Sequence, residues 1–277
     1  MKKKIAAFIT TYNEEQRIRY ILESVKNFDD TIIFDKGSTD RTLKIAEEYG
    51  AHIYNIPYSD DKTSKEYSQT WELALGESKC EWVLLLTCSD VLPVQLYHKM
   101  IEYINLNDVD VVEVPFYRYS MGFCSKYSFY GDYEYKDILV KKSVFINDMD
   151  IHVMTKCKEG SKMGRLEIED HSIAVYHLTH ENLQLIIERH LRYAKDEAAY
   201  YLNRKEGLKV AWHELLRQVY RYFKLKTYKL GEKGKAQLCM LLLYRSAKYL
   251  DIYFDKEKED EIAEIYNKIR KSVLEAQ

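Results

Sequence analysis

Four short apolar runs, Lys4 to Thr10, Thr31 to Phe34, His52 to Ile56 and Trp82 to Leu86, punctuate the first ninety residues. Between them the apolar positions fall at helical spacing, as in Ile18, Ile21, Leu22 and Val25. A chain that alternates buried strand and amphipathic helix in this way can close a core only as a mostly parallel sheet with helices on both faces. Local signals agree with that α/β reading. Asn13 followed by Gln16 predicts a capping box with Glu14 and Glu15 in the first turn. Ser38 to Asp40 supply entry residues for a second helix that runs to about Tyr49 and stops at Gly50. A third helix is predicted near Ser68 to Leu75.

Helix Val94 to Ile104 and strand Val109 to Val114 continue the alternation. From Phe116 to about Val175 the periodicity fades, and Ile138 to Val140 and Ser172 to Val175 read as extra strands of a mixed extension. After Glu181 the pattern is helical almost throughout, with breaks near Gly207 and at Gly231 to Gly234. The expected organisation is an α/β domain over residues 1–180 and a helical region over 181–277.

Composition narrows the function classes. Lys+Arg 42 against Asp+Glu 44 gives no global basic field, so nucleic acid is not an expected partner. Gly 10 and Pro 3 are too few for a barrel or sandwich of many short strands. The 25 tyrosines are uneven, with 17 after residue 115 and six between Tyr117 and Tyr135. Five cysteines with no C-x-x-C pair fit a reducing compartment better than a disulfide framework or a zinc site. The opening MKKKIAAFITTYNEE reads as a buried strand rather than a secretory signal, and no 18-residue apolar run predicts a membrane span. A cytoplasmic location, with a place at the inner face of the membrane as a variant, is the corresponding expectation.

In an open parallel sheet, ligands meet the carboxyl ends of the strands. Those ends carry Thr10-Thr11-Tyr12-Asn13-Glu14, then Asp35 with Gly37-Ser38-Thr39, then Thr87-Cys88-Ser89-Asp90. Hydroxyls, amides and a carboxylate suit a nucleoside, because a carboxylate accepts from a ring N–H or a ribose hydroxyl. Neither the G-x-G-x-x-G fingerprint nor the G-x-x-x-x-G-K-[ST] loop occurs.

The stretch Phe8-Ile9-Thr10-Thr11-Tyr12-Asn13-Glu14-Glu15, followed about twenty residues later by Ile32-Ile33-Phe34-Asp35-Lys36-Gly37-Ser38-Thr39-Asp40-Arg41-Thr42, resembles the opening of family 2 glycosyltransferases with the GT-A fold. Asp137 to Lys142 resembles the family's Arg-Leu-Phe-Arg-Arg segment. His152 resembles its late His-Glu motif, and His177 with His190, Tyr193 and Ala198 resembles the tail of the lipopolysaccharide-core glucosyltransferase-like subgroup. The resemblance covers most of residues 1 to about 200. It implies a nucleotide-diphosphate sugar donor, usually a UDP-sugar, and inversion at the anomeric carbon. It also implies a carboxylate base and a divalent metal, Mg²⁺ or Mn²⁺, held by a D-x-D after the fourth strand. On that reading Thr10, Thr11, Tyr12, Asn13, Glu14, Asp35, Gly37 and Ser38 hold the nucleotide.

The chain departs from this pattern at three places. Thr87-Cys88-Ser89 stands where the D-x-D would be, which leaves only Asp90. Three readings stay open there: Asp90 with His177 and water holds a metal, cationic side chains replace the metal, or the chain is a non-catalytic nucleotide-sugar-binding or scaffold relative. Trp71 occupies the usual place of a phosphate-binding cation, leaving Lys65 or Lys62 for that task. Val153 follows His152 where the family has Glu, which leaves the base open among Asp148, Asp150, Glu167, Glu169 and Asp170 nearby in sequence; Asp90 and His152 are the expected catalytic residues. Tyr117, Tyr119 and Tyr130 are the expected acceptor side, for a saccharide or lipid-linked acceptor of envelope-glycan synthesis, since aromatic faces suit sugar C–H surfaces. Residues 217–235 carry seven basic side chains against Glu232, interleaved with Tyr220, Tyr222, Phe223 and Tyr228, which predicts contact with anionic lipid.

Overall fold

Ile5, Ala6, Ala7, Phe8 and Ile9 are all fully buried, so successive side chains on both faces of the first strand are covered. The computed structural model describes residues 3–55, 65–146, 156–201 and 206–275. The parallel half follows the alternation read from the sequence. In chain order it comprises β1 (Ile5–Thr11), α1 (Ile18–Val25), β2 (Asp30–Asp35), α2 (Thr42–Glu48), β3 (His52–Asn55), α3 (Lys65–Glu77) and β4 (Trp82–Thr87). β2 and β4 flank β1, and β3 lies outside β2, all in parallel. Ile18, Ile21, Leu22 and Val25 of α1 join the same core as Phe8, Phe34 and Trp82.

The chain then adds β5 (Asp90–Val91), α4 (Val94–Leu106), β6 (Val111–Ser120) and β7 (Tyr133–Lys141), followed by the short strands β8 (Phe145–Ile146), β9 (Lys156–Cys157) and β10 (Met163–Arg165), and by β11 (Val175–Thr179). The main sheet runs β3-β2-β1-β4-β7-β6-β11-β5, with β10 also on β6, while β8 and β9 pair apart. β7 is antiparallel to both β4 and β6, so the sheet is mixed beyond β4. The strand expected over Val109 to Val114 extends to Ser120, because β7 pairs with it as far as Tyr117↔Tyr133 and β11 as far as Ser120↔Thr179.

Two compact units result, Met1–Ser120 with Asp132–Thr179, and Met121–Gly131 with His180–Gln277. The second unit is helical: α5 (Leu183–Tyr201), α6 (Gly207–Lys224), a 3-10 turn over Thr227–Leu230, α7 (Glu232–Tyr253) and α8 (Lys256–Glu275). Residues 121–131, which no periodicity marks, pack into this unit. Phe129 shares a cluster with Ile186, Met240 and Leu241, and the fully buried Gln237 hydrogen-bonds Ser128 Oγ and the Phe129 N–H. Gly234 is required where it stands, since a Cβ would lie 2.2 Å from the Thr227 carbonyl oxygen. A buried ionic cluster ties α5, α6 and α7: Lys248 Nζ lies 2.9 Å from Glu197 Oε2 and 2.7 Å from Glu214 Oε2, and Arg245 contacts both carboxylates. Among the described residues no helix is long and apolar enough to cross a membrane.

Candidate active site

The loops after β1 and β2 are bonded into one another. Asn13 has φ 53°, and from that left-handed conformation its N–H donates to Ser38 Oγ (2.8 Å) while its Oδ1 accepts from the Thr39 N–H (2.8 Å). The Glu14 N–H donates to Thr42 Oγ1, the Glu15 N–H to Asp40 Oδ2, and the Arg41 N–H to Glu15 Oε2. The Lys36 N–H reaches the Thr11 carbonyl at 3.0 Å. The capping box expected at Asn13 is therefore corrected: α1 begins at Ile18, and Asn13 serves the neighbouring loop. Asp40 Oδ1 takes the Thr42 N–H at the start of α2.

Asp35 ends β2 with no solvent exposure. Its Oδ2 accepts from the Gly37 and Ser38 N–H groups at 2.9 and 2.7 Å, and its Oδ1 accepts from Ser38 Oγ. Both oxygens are committed to the turn, where Gly37 takes φ 87°. Thr10 and Tyr12 are half-buried at the same edge, and Thr11 Oγ1 lies 3.3 Å from the Cys88 thiol. Burial pushes that thiol up to about 12, which keeps it neutral. Glu14 is engaged by Arg17, whose Nε lies 2.8 Å from Oε2 and whose Nη1 reaches Ser89 Oγ at 3.1 Å. The nucleotide-side residues from Thr10 to Glu14 thus meet Asp35, Gly37 and Ser38 at one sheet edge. Lys65 opens α3, but its side chain and Lys62 lie outside the described residues, as does His152.

The end of β4 is equally closed on itself. Asp90 Oδ2 accepts from the Thr87 N–H at 2.6 Å and from Thr87 Oγ1 at 2.9 Å, while Oδ1 meets His177 Nδ1 at 2.7 Å. The structure brings Asp90 and His177 together, yet as a direct hydrogen-bonded pair rather than as two ligands facing a common ion. A hard divalent cation wants several oxygen donors, and the one carboxylate here has both oxygens occupied. Among the described residues no group of three or more His, Cys, Asp or Glu side chains could hold a metal ion. The donor set does not fit Mg²⁺ or Mn²⁺. With Nδ1 held on a carboxylate, the imidazole is fixed in orientation and its Nε2 is left for proton transfer.

β5, β6, β7 and β11 give the sheet two chemically opposite faces, because neighbouring residues alternate. The registers Phe116↔Glu134, Val114↔Lys136, His177↔Arg118 and His177↔Asp90 put Phe116, Arg118, Glu134, Lys136, His177 and Asp90 on one face. Lys136 Nζ lies 4.2 Å from the Phe116 ring centroid, the Phe116 and His177 rings are 5.5 Å apart, and Arg118 is ion-paired with Glu134. The other face is tyrosine: Tyr117 meets Tyr119, Tyr133 and Tyr176, and His171 stacks on Tyr133 at 4.6 Å. Burial raises the Tyr133 phenol well above the ordinary tyrosine range. Tyr117 and Tyr119, expected on the acceptor side, lie by this alternation on the face opposite Asp90. Tyr130 belongs to the helical unit, with its ring 5.2 Å from that of His180.

Sequence reasoning missed Arg17, Arg118, Glu134 and Lys136. The signal for the last two was present: Tyr133-Glu134-Tyr135-Lys136 alternates ring and charge at period two, which marks a strand with two unlike faces.

Comparison with known proteins bears on the same region. An uncharacterized glycosyltransferase of Rickettsia bellii is 37% identical over 105 residues, 38% of this chain and 33% of that protein. The 4,4'-diaponeurosporenoate glycosyltransferase of Staphylococcus haemolyticus is 33% identical over 94 residues, 32% of this chain and 23% of that protein. The matched stretch thus spans a third or less of the length of these curated relatives. Among solved structures, S. aureus TarS 1-349 in complex with UDP-GlcNAc is similar over 90% of this chain and 89% of its own, with 13% identity and a TM-score of 0.47. The family model for glycosyl transferase family 2 matches residues 6–154, more than half of the 277-residue chain. On that match, which spans the strand-end loops and most of the mixed sheet, the chain belongs to glycosyl transferase family 2.

Proposed function

We propose that this chain is an inverting glycosyltransferase that moves a sugar from a nucleotide-diphosphate donor, a UDP-sugar, to a saccharide or lipid-linked acceptor of envelope-glycan synthesis. The observation that carries the reading is the interlocked pair of loops after β1 and β2, set beside the polar end of β4. Thr10, Thr11, Tyr12, Asn13 and Ser38 form the nucleoside floor. Asp35 acts on it by holding the Gly37 and Ser38 N–H groups in place, and Lys65 stands at the start of α3. Asp90 orients His177, and the imidazole takes the proton of the attacking hydroxyl. The acceptor oxygen forms its bond to the anomeric carbon as the bond to the diphosphate oxygen breaks, the electron pair leaving with the diphosphate.

Calorimetric titration with UDP and a UDP-sugar, in EDTA and then with Mn²⁺, tests this reading. Binding followed by slow release of UDP from the sugar nucleotide is the expected result. An absence of nucleotide binding in both buffers overturns it. A second reading, a nucleotide-binding relative without turnover, is favoured by the loss of both D-x-D carboxylates at Thr87 and Ser89. Tight UDP binding with no release under any condition would establish it.

The helical unit supports a membrane-facing role. Leu216, Tyr220 and Phe223 share one stripe of α6, and both aromatic side chains are 62% exposed. Arg217, Lys224, Lys226 and Lys229 are exposed around them. Arg221 is not part of this surface, since its guanidinium is half-buried and donates to the Phe129 carbonyl at 3.0 Å. Exposed rings within a cationic border suit an anionic lipid surface. Flotation with phosphatidylglycerol vesicles at low salt is expected to carry the protein up, and failure to float would remove this role.

A further inference from the structure

Departure of a nucleoside diphosphate concentrates negative charge on the leaving oxygens, so the site must present a positive charge there. The end of β4 does not offer the donor set of a divalent ion: Asp90 is bonded to Thr87 and His177, and Ser89 to Arg17. Three side-chain cations lie close to this edge, and they differ in what already neutralises them. Arg17 is buried and clasped by Glu14. Arg118 is ion-paired with Glu134. Lys136, among the described residues, has no hydrogen bond or ion pair and rests its ammonium on the Phe116 ring.

We propose that Lys136 is the cation that meets the leaving diphosphate in this protein, standing in for a metal ion on the face it shares with Asp90 and His177. This rests on the reading above that the donor is a nucleotide-diphosphate sugar. The geometry favours Lys136 on three counts. It is on the proton-handling face rather than the tyrosine face. Its ammonium is 4.2 Å from the ring centroid of Phe116, whose ring in turn lies 5.5 Å from that of His177, so cation and base flank one aromatic side chain. Its stem is half-buried, where water screens charge less and an oxyanion is held more strongly. Burial, reinforced by Arg118, holds its pKa below the ordinary lysine range despite the opposing pull of Glu134, Asp90 and Asp137. An arriving diphosphate would relieve that penalty. Lys136 takes no proton in this step; it contributes charge, and the acceptor's proton goes to His177.

The test compares UDP, UMP and uridine by calorimetry on the full chain in EDTA, for the wild type and for Lys136→Met and Lys136→Arg. Lys136→Met is expected to weaken UDP about 10- to 100-fold, as for loss of a charge-assisted contact, and to leave uridine within about twofold. Lys136→Arg is expected to recover most of the UDP affinity. If Lys136→Met does not fold, Lys136→Gln replaces it in the same comparison. UDP affinity unchanged in the neutral variant, or restored in it by Mn²⁺ to the wild-type value, overturns the assignment while the donor reading stands. A wild type that binds neither UDP nor uridine instead overturns the donor reading itself.

Discussion

Each unit of this molecule contains a lysine withdrawn from water, and the two are treated in opposite ways. In the helical unit Lys248 is 1% exposed and bonded to Glu197 and Glu214. In the sheet unit Lys136 has a ring beneath it and no anion of its own among the described residues. A buried charge with its partners supplied by the fold holds helices in register, and removing one member leaves the others uncompensated. A half-buried charge whose neighbour is a ring rather than an anion holds less of the fold together and is placed to meet an anion from outside.

That contrast can be broken by mutation. Lys248→Met is expected to cost about 3–5 kcal/mol, read as a lowered urea midpoint of the helical signal, because Glu197 and Glu214 lose their central cation. A loss under about 1 kcal/mol would mean that Arg245 alone neutralises both. Asp35→Ala, which strands two backbone N–H groups and a hydroxyl, is expected to lose about 2–3 kcal/mol together with nucleotide affinity. Full stability with affinity lost would instead make Asp35 a direct ligand of the nucleoside. Asn13→Ala should cost about 1 kcal/mol, since alanine loses the acceptor for Thr39 and is disfavoured at φ 53°. Asn13→Gly should recover part of it. Lys136→Met should shift the urea midpoint least, by no more than about 0.5 kcal/mol and in either direction.

The pH response should separate the two sites as well. Burial pushes Glu197 upward, but the Tyr244 hydroxyl, Arg245 and Lys248 outweigh it and leave the carboxyl below its ordinary 4.5. Its contribution is present above the unfolded value and is lost as pH falls through the lower folded value. Lys136 works with the other sign. Its folded pKa is depressed, so its penalty is present at neutral pH and is relieved as pH rises from the folded value towards the ordinary 10.5. Circular dichroism at the acid end follows the first; at the alkaline end UDP affinity is expected to fall as Lys136 loses its proton, at a lower pH than an ordinary lysine would.

The parallel half of the sheet was legible because each strand and helix there carries its own local signal, and the two loop motifs announced their shared edge. The absence of carboxylates at Thr87 and Ser89, at the end of β4, was legible too. Pairing at long range was reachable only through the family resemblance, which set His177 beside Asp90 as a metal ligand and not as its hydrogen-bond partner. The two are 87 residues apart, and the antiparallel placement of β11 beside β5 joins them. The tyrosine cluster was visible as composition, but which way Tyr117 and Lys136 point depends on the β6–β7 register. The capping role of Asn13 was misread because its partner, Thr39, sits in the next loop.

Residues 121–131 leave the sheet unit after β6, pack Phe129 against α5 and α7, and return at Asp132 to begin β7. The helical unit therefore is not a module that evolution or an engineer could exchange at a single junction near residue 180. A chain ended at Thr179 would keep an eleven-residue loop with nothing to fold upon. A helical unit expressed alone from His180 would in turn lack Ser128 and Phe129, leaving buried Gln237 without the hydroxyl and N–H that satisfy it. Exchange of the helical unit between relatives would have to carry both pieces together, so recombination at one crossover point is closed to this architecture.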